Sequence, residues 1–404
     1  MSGVYKAFRH GTHRAQDPSA TLLRLKPLLP VMGISRVANV TGLDRLGIPV
    51  VMVCRPNARS IAVSQGKGLE LTAAKVSGVM EAVETYHAER IIRPLKLASF
   101  EELRYTHSLV DVEGLPFCVD SSFDPDVPLL WIEGQNLLAE QSLWLPFELV
   151  HANYTLPLPP GSGCFTANTN GLASGNNLVE AMLHGVCEVI ERDALTLWHL
   201  LDDTARAATG VDPDSIDDIA CRDVLARFER AGVEVKIWEI TADTGVAAFF
   251  CLSVDADDFG AQPADGSGCH PSRAIALLRA LTEAAQVRTT YIAGSRDDID
   301  ATEYSAAVKS AKLEACRTLM MCHRQARIFC ASPHHDGDTL DEDLNWALAC
   351  LQGVGIKQVV TTDLTLPAFR LPVVRVVIPG LEGADESEDY LPGRRALAFA
   401  NEAL

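Results

Sequence analysis

The sequence predicts a mixed α/β (α+β) fold in which two related halves share one central site. Helical and strand-like stretches alternate along all 404 residues, the pattern of helices layered on sheet rather than of a pure bundle or sandwich. A short helical motif is also written twice. Gly68–Thr85 and Gly175–Arg192 align without a gap and share an E-x-x-E pair, Glu81 with Glu84 in one and Glu188 with Glu191 in the other. A weaker third copy repeats the spacing with Arg279, Glu283 and Gln286. One polar pattern on three helices points to one shared centre.

Residues 1–60 read as an N-terminal arm and strand region, the first 20 of them polar and expected to fray or form a short arm. Residues 33–53 have the pattern of a strand, a turn and a second strand. The core is expected over 61–382, beginning with a strand near 60–64, then Gly66-Lys67-Gly68, then the first glutamate helix over 69–90. Short strands, turns and prolines fill 95–150, and a Pro/Gly loop follows at 157–163. A run rich in Gly, Asn, Thr and Ser opens the second helix, expected over 177–200, so the pseudo-repeats lie near 66–90 and 171–195. Strand patterns at 234–240 and 247–254 precede a polar loop at 256–268 and the third motif helix at 272–292. The charged stretch 296–312 reads as irregular or helical, and 332–338 as a solvated loop that includes His334 and His335. A helix over 339–352 and strands near 356–363 and 372–378 complete the core. Residues 383–404 are a tail, acidic and then helical.

Composition narrows the class. Hydrophobic content of 48% with ordinary charge describes a globular chain. A net charge of −18 argues against a nucleic-acid binder, which needs a basic face. No apolar run is long enough to span a bilayer, and residues 1–17 hold no apolar segment of a secretory signal. The 11 cysteines are scattered without C-x-x-C spacing, as in reduced thiols that mostly pack. The expectation is a cytoplasmic protein.

Positions 0, 4 and 7 of a helix fall within a narrow arc. Ser77, Glu81 and Glu84 therefore share a face, as do Glu180, His184, Glu188 and Glu191. A single E-x-x-E is ordinarily a solvated helix face. Here the neighbours Val79, Val83, Val186 and Ile190 suit a core, and acids at helical spacing repel each other. Carboxylates gathered at one centre need a cation, or some of them hold protons. An all-oxygen set favours a hard ion such as Mg2+ over zinc, and Mg2+ usually arrives with substrate phosphates. The pattern points to a nucleotide.

Gly66-Lys67-Gly68 and Gly171–Asn177 stand before their helices, where glycine and helix-terminal amides suit an anion and Lys67 adds a charge. Neither is a Walker motif, and G-K-G alone is an ordinary turn. Arg192 and Arg288 follow their helices' last site positions and are placed to neutralise phosphate, although each alone reads as a salt-bridge arginine. His184, which takes the place of Ser77 in the second copy, reads alone as a core or boundary residue. Cys164, Cys187 and Cys269 lie near the motifs, and a nucleophilic role would need a depressed pKa. No residue stands out as a general base.

The ordered set G-K-G, S-x-x-x-E-x-x-E, G-L-A-S-G, E-x-x-x-H-x-x-x-E-x-x-E-R-D-A and R-A-L-T-E-A-A-Q-x-R resembles the YcaO family over about Gly33 to Glu382. The resemblance implies an ATP- and Mg2+-dependent enzyme that phosphorylates a peptide backbone amide oxygen, so that it leaves as phosphate. Azolines or a thioamide are the products. It implies nucleotide contacts by Lys67, Ser77, Asn176, Glu180, Arg192, Gln286 and Arg288, and Mg2+ binding by Glu81, Glu84, Glu188, Glu191 and Glu283. A peptide or protein substrate, a TfuA-like partner and a homodimer belong to the same expectation. Many members carry Arg where this chain has Thr85, and azoline-forming members often end in a P-x-P-x-P tail that is not found here. The second difference favours thioamide formation over cyclodehydration.

Overall fold

The computed structural model describes residues 3–256, 262–296, 298–321, 326–383 and 390–402. Helix α1 (Pro18–Leu25) is followed by strands β1 (Arg36–Asn39), β2 (Val50–Cys54) and β3 (Val63–Lys67), then α2 (Leu71–Ala88). Next come β4 (Leu95–Ala98), α3 (Phe100–Leu103), β5 (Leu129–Asn136), β6 (Gln141–Pro146), β7 (Leu172–Ser174) and α4 (Leu178–His199). Helices α5 (Asp203–Ala207) and α6 (Ile219–Arg230) lead into β8 (Val233–Glu239), β9 (Ala248–Asp255) and β10 (Ala264–Cys269), and α7 (Arg273–Ala293) follows. The rest is α8 (Ala306–Met321), α9 (Leu340–Gly353), β11 (Val360–Asp363), β12 (Val373–Val377) and α10 (Arg394–Glu402).

The strands form three sheets with orders β1-β2-β3, β10-β9-β8 and β4-β5-β11-β12-β7, and β6 pairs with β5. Every strand pairing is antiparallel, so the mixed fold is of the α+β kind, with helices packed over antiparallel sheets. β3, β7 and β10 each end their sheet, and each runs directly into one of the three glutamate helices. The chain thus repeats one unit, a terminal strand and then a helix.

Glycines set the closeness of strand to helix. A Cβ on Gly66 would lie 2.1 Å from Ala74 O and Gly78 N of α2, and one on Gly266 would lie 2.3 Å from Ala280 O of α7. This overturns the loop expected at 256–268. Asp265, Gly266, Ser267 and Gly268 look like a loop, yet Ala264–Cys269 is a strand paired with β9 from Ala264↔Ser253 to Cys269↔Ala248. The small residues are there because a helix lies against them, not because the chain turns.

Three apolar clusters fill the interior. One lies around Trp131, Ile132, Leu145 and Phe165, one around α4 and α9 with Val374 and Val376, and one between α6, α7 and the sheet of β8 and β9. The helix α2 has apolar residues buried all round it, as expected for a helix enclosed by sheet and neighbours. The arm does not fray. Val4 N–H donates to Asp341 Oδ2 at 2.6 Å, and Phe8 pairs with Arg14. The helices expected at 69–90, 177–200, 272–292 and 339–352 are α2, α4, α7 and α9, and the strand expected near 60–64 lies a few residues later as β3. No helix among the described residues is long and apolar enough to cross a membrane.

Candidate active site

The three strand–helix units are locked in a ring, each by a glutamate. Glu84 of α2 accepts a hydrogen bond from Ser174 Oγ of β7 at 2.6 Å. Glu191 of α4 accepts from Ser267 Oγ and from Cys269 N–H of β10, both at 2.8 Å. Glu283 of α7 is ion-paired with Lys67 Nζ of β3, which closes the ring. Each helix reaches the strand of the next unit, so the polar faces read from the 0, 4, 7 spacing meet at one place. Glu81 accepts from Gln65 N–H at 3.3 Å, Glu188 from Gly171 N–H at 3.2 Å, and Ser77 Oγ from Lys67 N–H at 3.4 Å.

Charge is divided unevenly within this cleft. Burial first, then the charge of Glu188, pushes the Glu84 carboxyl up to about 8, despite its bond to Ser174. Burial likewise raises Glu81 to about 7, with Glu188 adding to it, and raises Glu188 itself, to which Glu191 contributes. Burial would raise Glu283 too, but Lys67, Arg192 and Arg279 outweigh it and hold that carboxyl below its usual range. The cleft therefore has a side with compensated charge, at Glu283, and an acid-rich side, at Glu81, Glu84 and Glu188. The acid-rich side can release its protons only if a cation is supplied. An oxygen-only donor set of half-buried and buried carboxylates fits Mg2+.

Glu180 has a different task. Its carboxylate accepts Asn176 Nδ2 at 3.1 Å and Ala15 N–H at 2.9 Å, and it lies 3.7 Å from Arg14 Nε. Thr21 Oγ1 donates to Asn176 Oδ1 at 2.7 Å. Asn177 caps α4 by accepting the Glu180 N–H at 3.0 Å, a side-chain acceptor for an otherwise unpaired amide. Burial, Arg279, Arg14 and Lys67 together keep His184 neutral, well below its usual value. Arg279 Nη2 lies 3.8 Å from Glu191 Oε2.

Of the residues singled out in the sequence, Lys67, Ser77, Glu81, Glu84, Glu188, Glu191 and Glu283 meet in this cleft, with the charge of Arg192 acting on Glu188 and Glu283. Asn176 and Glu180 border it, and Gln286 lies on α7 one turn beyond Glu283. Arg288 does not join them. It is 2% exposed, with Nε 3.0 Å from Asp44 Oδ2 and Nη2 3.1 Å from Asp255 Oδ1, so its charge brackets two buried acids rather than waiting for a phosphate. Thr85, where many YcaO sequences have Arg, accepts a bond from Arg55 Nη2 at 3.0 Å. Arg14 is a site cation that the sequence reading missed, and nothing in its local sequence marks it. Arg279 was visible only as the first place of the third motif.

The family model described as YcaO cyclodehydratase, ATP- and Mg2+-binding, matches residues 65–382. An uncharacterized protein from the tfuA 3' region of Rhizobium leguminosarum bv. trifolii is 36% identical over 393 residues, covering 95% of this chain and 92% of that one. An uncharacterized protein of Methanothermobacter thermautotrophicus is 37% identical over 391 residues, covering 91% and 95%. Among solved structures, YcaO from Methanopyrus kandleri bound with AMPPCP and Mg2+ has a TM-score of 0.75 at 20% identity, covering 97% of this chain and 99% of that one. A heterocyclase in complex with substrate and cofactor has a TM-score of 0.80 at 23% identity, covering 95% of this chain and 54% of that one. The chain thus spans about half the length of that heterocyclase. At these identities the structural likeness concerns the fold.

Proposed function

This chain belongs to the YcaO family, whose cofactors are ATP and Mg2+, and we propose that it activates a peptide backbone amide by phosphoryl transfer to the amide oxygen. The observation that carries the reading is the ring of glutamates, with an acid-rich side at Glu81, Glu84 and Glu188 and cations at the other. When bound, Mg2+ supplies the missing positive charge and shields the triphosphate. Glu81, Glu84, Glu188, Glu191 and Glu283 would hold it, and Lys67, Arg14, Arg192 and Arg279 are the cations that would face phosphate oxygens. Ser77, Asn176, Glu180 and Gln286 supply polar contacts for the rest of the nucleotide. Such a site contributes positioning and charge neutralisation, which are the main needs of phosphoryl transfer.

An amide oxygen is a poor leaving group, and its phosphate ester is a good one. In the reaction proposed, hydrosulfide adds to the carbonyl carbon and the resulting oxyanion takes the γ-phosphoryl group, releasing ADP. The C–O bond then breaks with loss of inorganic phosphate, the sulfur proton goes to solvent, and a thioamide remains. The position of the Rhizobium relative in a tfuA 3' region supports thioamide formation together with a TfuA-like partner. The names of the structural neighbours support the second reading, ring closure by a Cys, Ser or Thr side chain to an azoline.

Mass spectrometry after incubation with Mg·ATP, a candidate peptide and sulfide separates the two. Thioamide formation adds about 16 Da and azoline formation removes about 18 Da. Glu81→Gln, Glu188→Gln and Glu191→Gln are each expected to lower ATP turnover by roughly a hundredfold or more with the fold intact. Near-normal turnover in all three would refute amide activation at this cleft. Failure of Mg·ATP to bind at millimolar concentration in calorimetry would point instead to a peptide-binding scaffold.

A further inference from the structure

An arginine stands inside the large sheet. Arg375 of β12 pairs in register with Thr362 of β11 and with Leu172 of β7, so the three side chains leave one face of the sheet. Arg375 is 3% exposed. Its Nη2 donates to Asn168 Oδ1 at 3.3 Å, while Nε and Nη1 are buried and have no hydrogen-bond partner. Thr362 Oγ1 is equally buried and equally unpartnered. A third orphan comes from His151, on which the charge of Arg375 acts. Its Nδ1 accepts Asn153 N–H at 3.1 Å, which leaves the proton of the neutral ring on Nε2, a buried donor with no acceptor. Burial and Arg375 hold that ring neutral, its pKa down at about 4.

These groups adjoin the acid-rich end of the cleft. Gly171 joins the two places: its N–H donates to Glu188, and its carbonyl accepts Val376 N–H at 2.8 Å, one residue from Arg375. Buried polar groups in folded proteins are nearly all paired. Several N–H donors left over around one buried guanidinium, with a hydroxyl that can turn either way, lack acceptors rather than donors. An anion supplies them, and charge-assisted bonds in a water-poor site hold it strongly.

We propose that Arg375, His151 Nε2 and Thr362 Oγ1 form a seat for a small inorganic anion beside Glu188. The role of that anion rests on the amide-activation reading, in which hydrosulfide enters and phosphate leaves. The existence of the seat does not.

The test is calorimetric titration of the full chain with sodium phosphate and, separately, with sodium hydrosulfide, each with and without Mg2+ and a non-hydrolysable ATP analogue. At least one anion is expected to bind once per chain at millimolar concentration or tighter, and without displacement by the analogue. Arg375→Gln is expected to weaken it about tenfold or more. Thr362→Val, nearly isosteric, is expected to weaken it several-fold with an unchanged melting midpoint, which a purely structural hydroxyl would not do. That variant carries the test should Arg375→Gln not fold. Tighter phosphate assigns the seat to the leaving product, and tighter hydrosulfide to the attacking nucleophile. The proposal is overturned if neither anion binds, if the variants bind like the wild type, or if the analogue displaces the anion. Failure of the analogue to bind at all would sink the nucleotide reading and leave the seat standing.

Discussion

At the scale of single residues, the acid-rich side of the cleft makes stability and metal binding depend on pH in opposite senses. Glu84 in the folded chain is raised to about 8 from an ordinary 4.5. The folded state then binds more protons than the unfolded state between those values, so stability falls as pH rises through the window. Buried neutral histidines such as His184 and His270 act the other way at acid pH, so the contribution of Glu84 is read as a difference. Without metal, wild type and Glu84→Gln should melt alike near pH 5, and the variant should melt a few degrees higher near pH 9. Thermal unfolding in matched buffers checks this, and a variant that melts lower at the alkaline end contradicts it. Mg·nucleotide needs the charged carboxylates, so its affinity should rise with pH over the same window. Its binding should release protons, visible as a buffer-dependent heat in calorimetry.

At the scale of elements, the repeated strand–helix unit depends on glycine wherever strand and helix backbones touch. In Gly266→Ala the new Cβ would meet Ala280 O at 2.3 Å and Ala284 N at 2.5 Å, both backbone atoms of α7 that cannot turn aside. The helix must move off β10, carrying Glu283 with it. A loss on the order of 1–3 kcal/mol is expected from overpacking, with a larger loss of ATP turnover than that destabilisation explains. Gly353→Ala at the end of α9, where a Cβ meets nothing within 4 Å, should be neutral or slightly stabilising. Urea unfolding of the two variants gives the comparison. The same contact explains what could be read in advance. The helices α2, α4, α7 and α9 carry apolar residues at helical spacing, and Asn177 and Thr339 cap two of them, so their ends were legible within a few residues. β10 was not, because its strand character is imposed by β9 on one side and by α7 against its glycines. The glutamates were legible because their spacing recurs. Arg288 looked like one of them but was claimed by Asp44 and Asp255, which lie far off in sequence.

At the scale of the whole molecule, the N-terminal arm ties α9 to the cleft, and no local signal could announce contacts that span most of the chain. Lys6 Nζ, fully buried, lies 2.7 Å from Asp343 Oδ2 and 3.0 Å from Asp336 Oδ1. His13, His270 and Asp343 bring ligand atoms within 4.8 Å of one another there. Yet the ammonium of Lys6 already supplies the cation, and His270 Nδ1 accepts Ser272 N–H at 2.9 Å, which leaves the proton on Nε2. The expected solvated loop is part of this clasp: the His335 ring stacks on Trp346 at 5.0 Å, and Nε2 lies 3.6 Å from Asp343. A few residues on, Arg14 and Ala15 N–H reach Glu180 at the edge of the cleft. Lys6→Met would leave Asp343 buried without its cation, a loss of about 3–5 kcal/mol for a broken buried pair. Release of the arm costs less than that, because it lets water reach the carboxylate. Arg14 then leaves Glu180, so the KM for ATP should rise several-fold with kcat changed less, and trypsin should cut at Arg9 and Arg14 under native conditions. Lys6→Met combined with Asp343→Asn removes the stranded charge and should restore part of both properties. The exposed Lys26 replaced by Met is the control. An unchanged KM together with an uncut arm in Lys6→Met would mean that the clasp holds nothing the cleft needs.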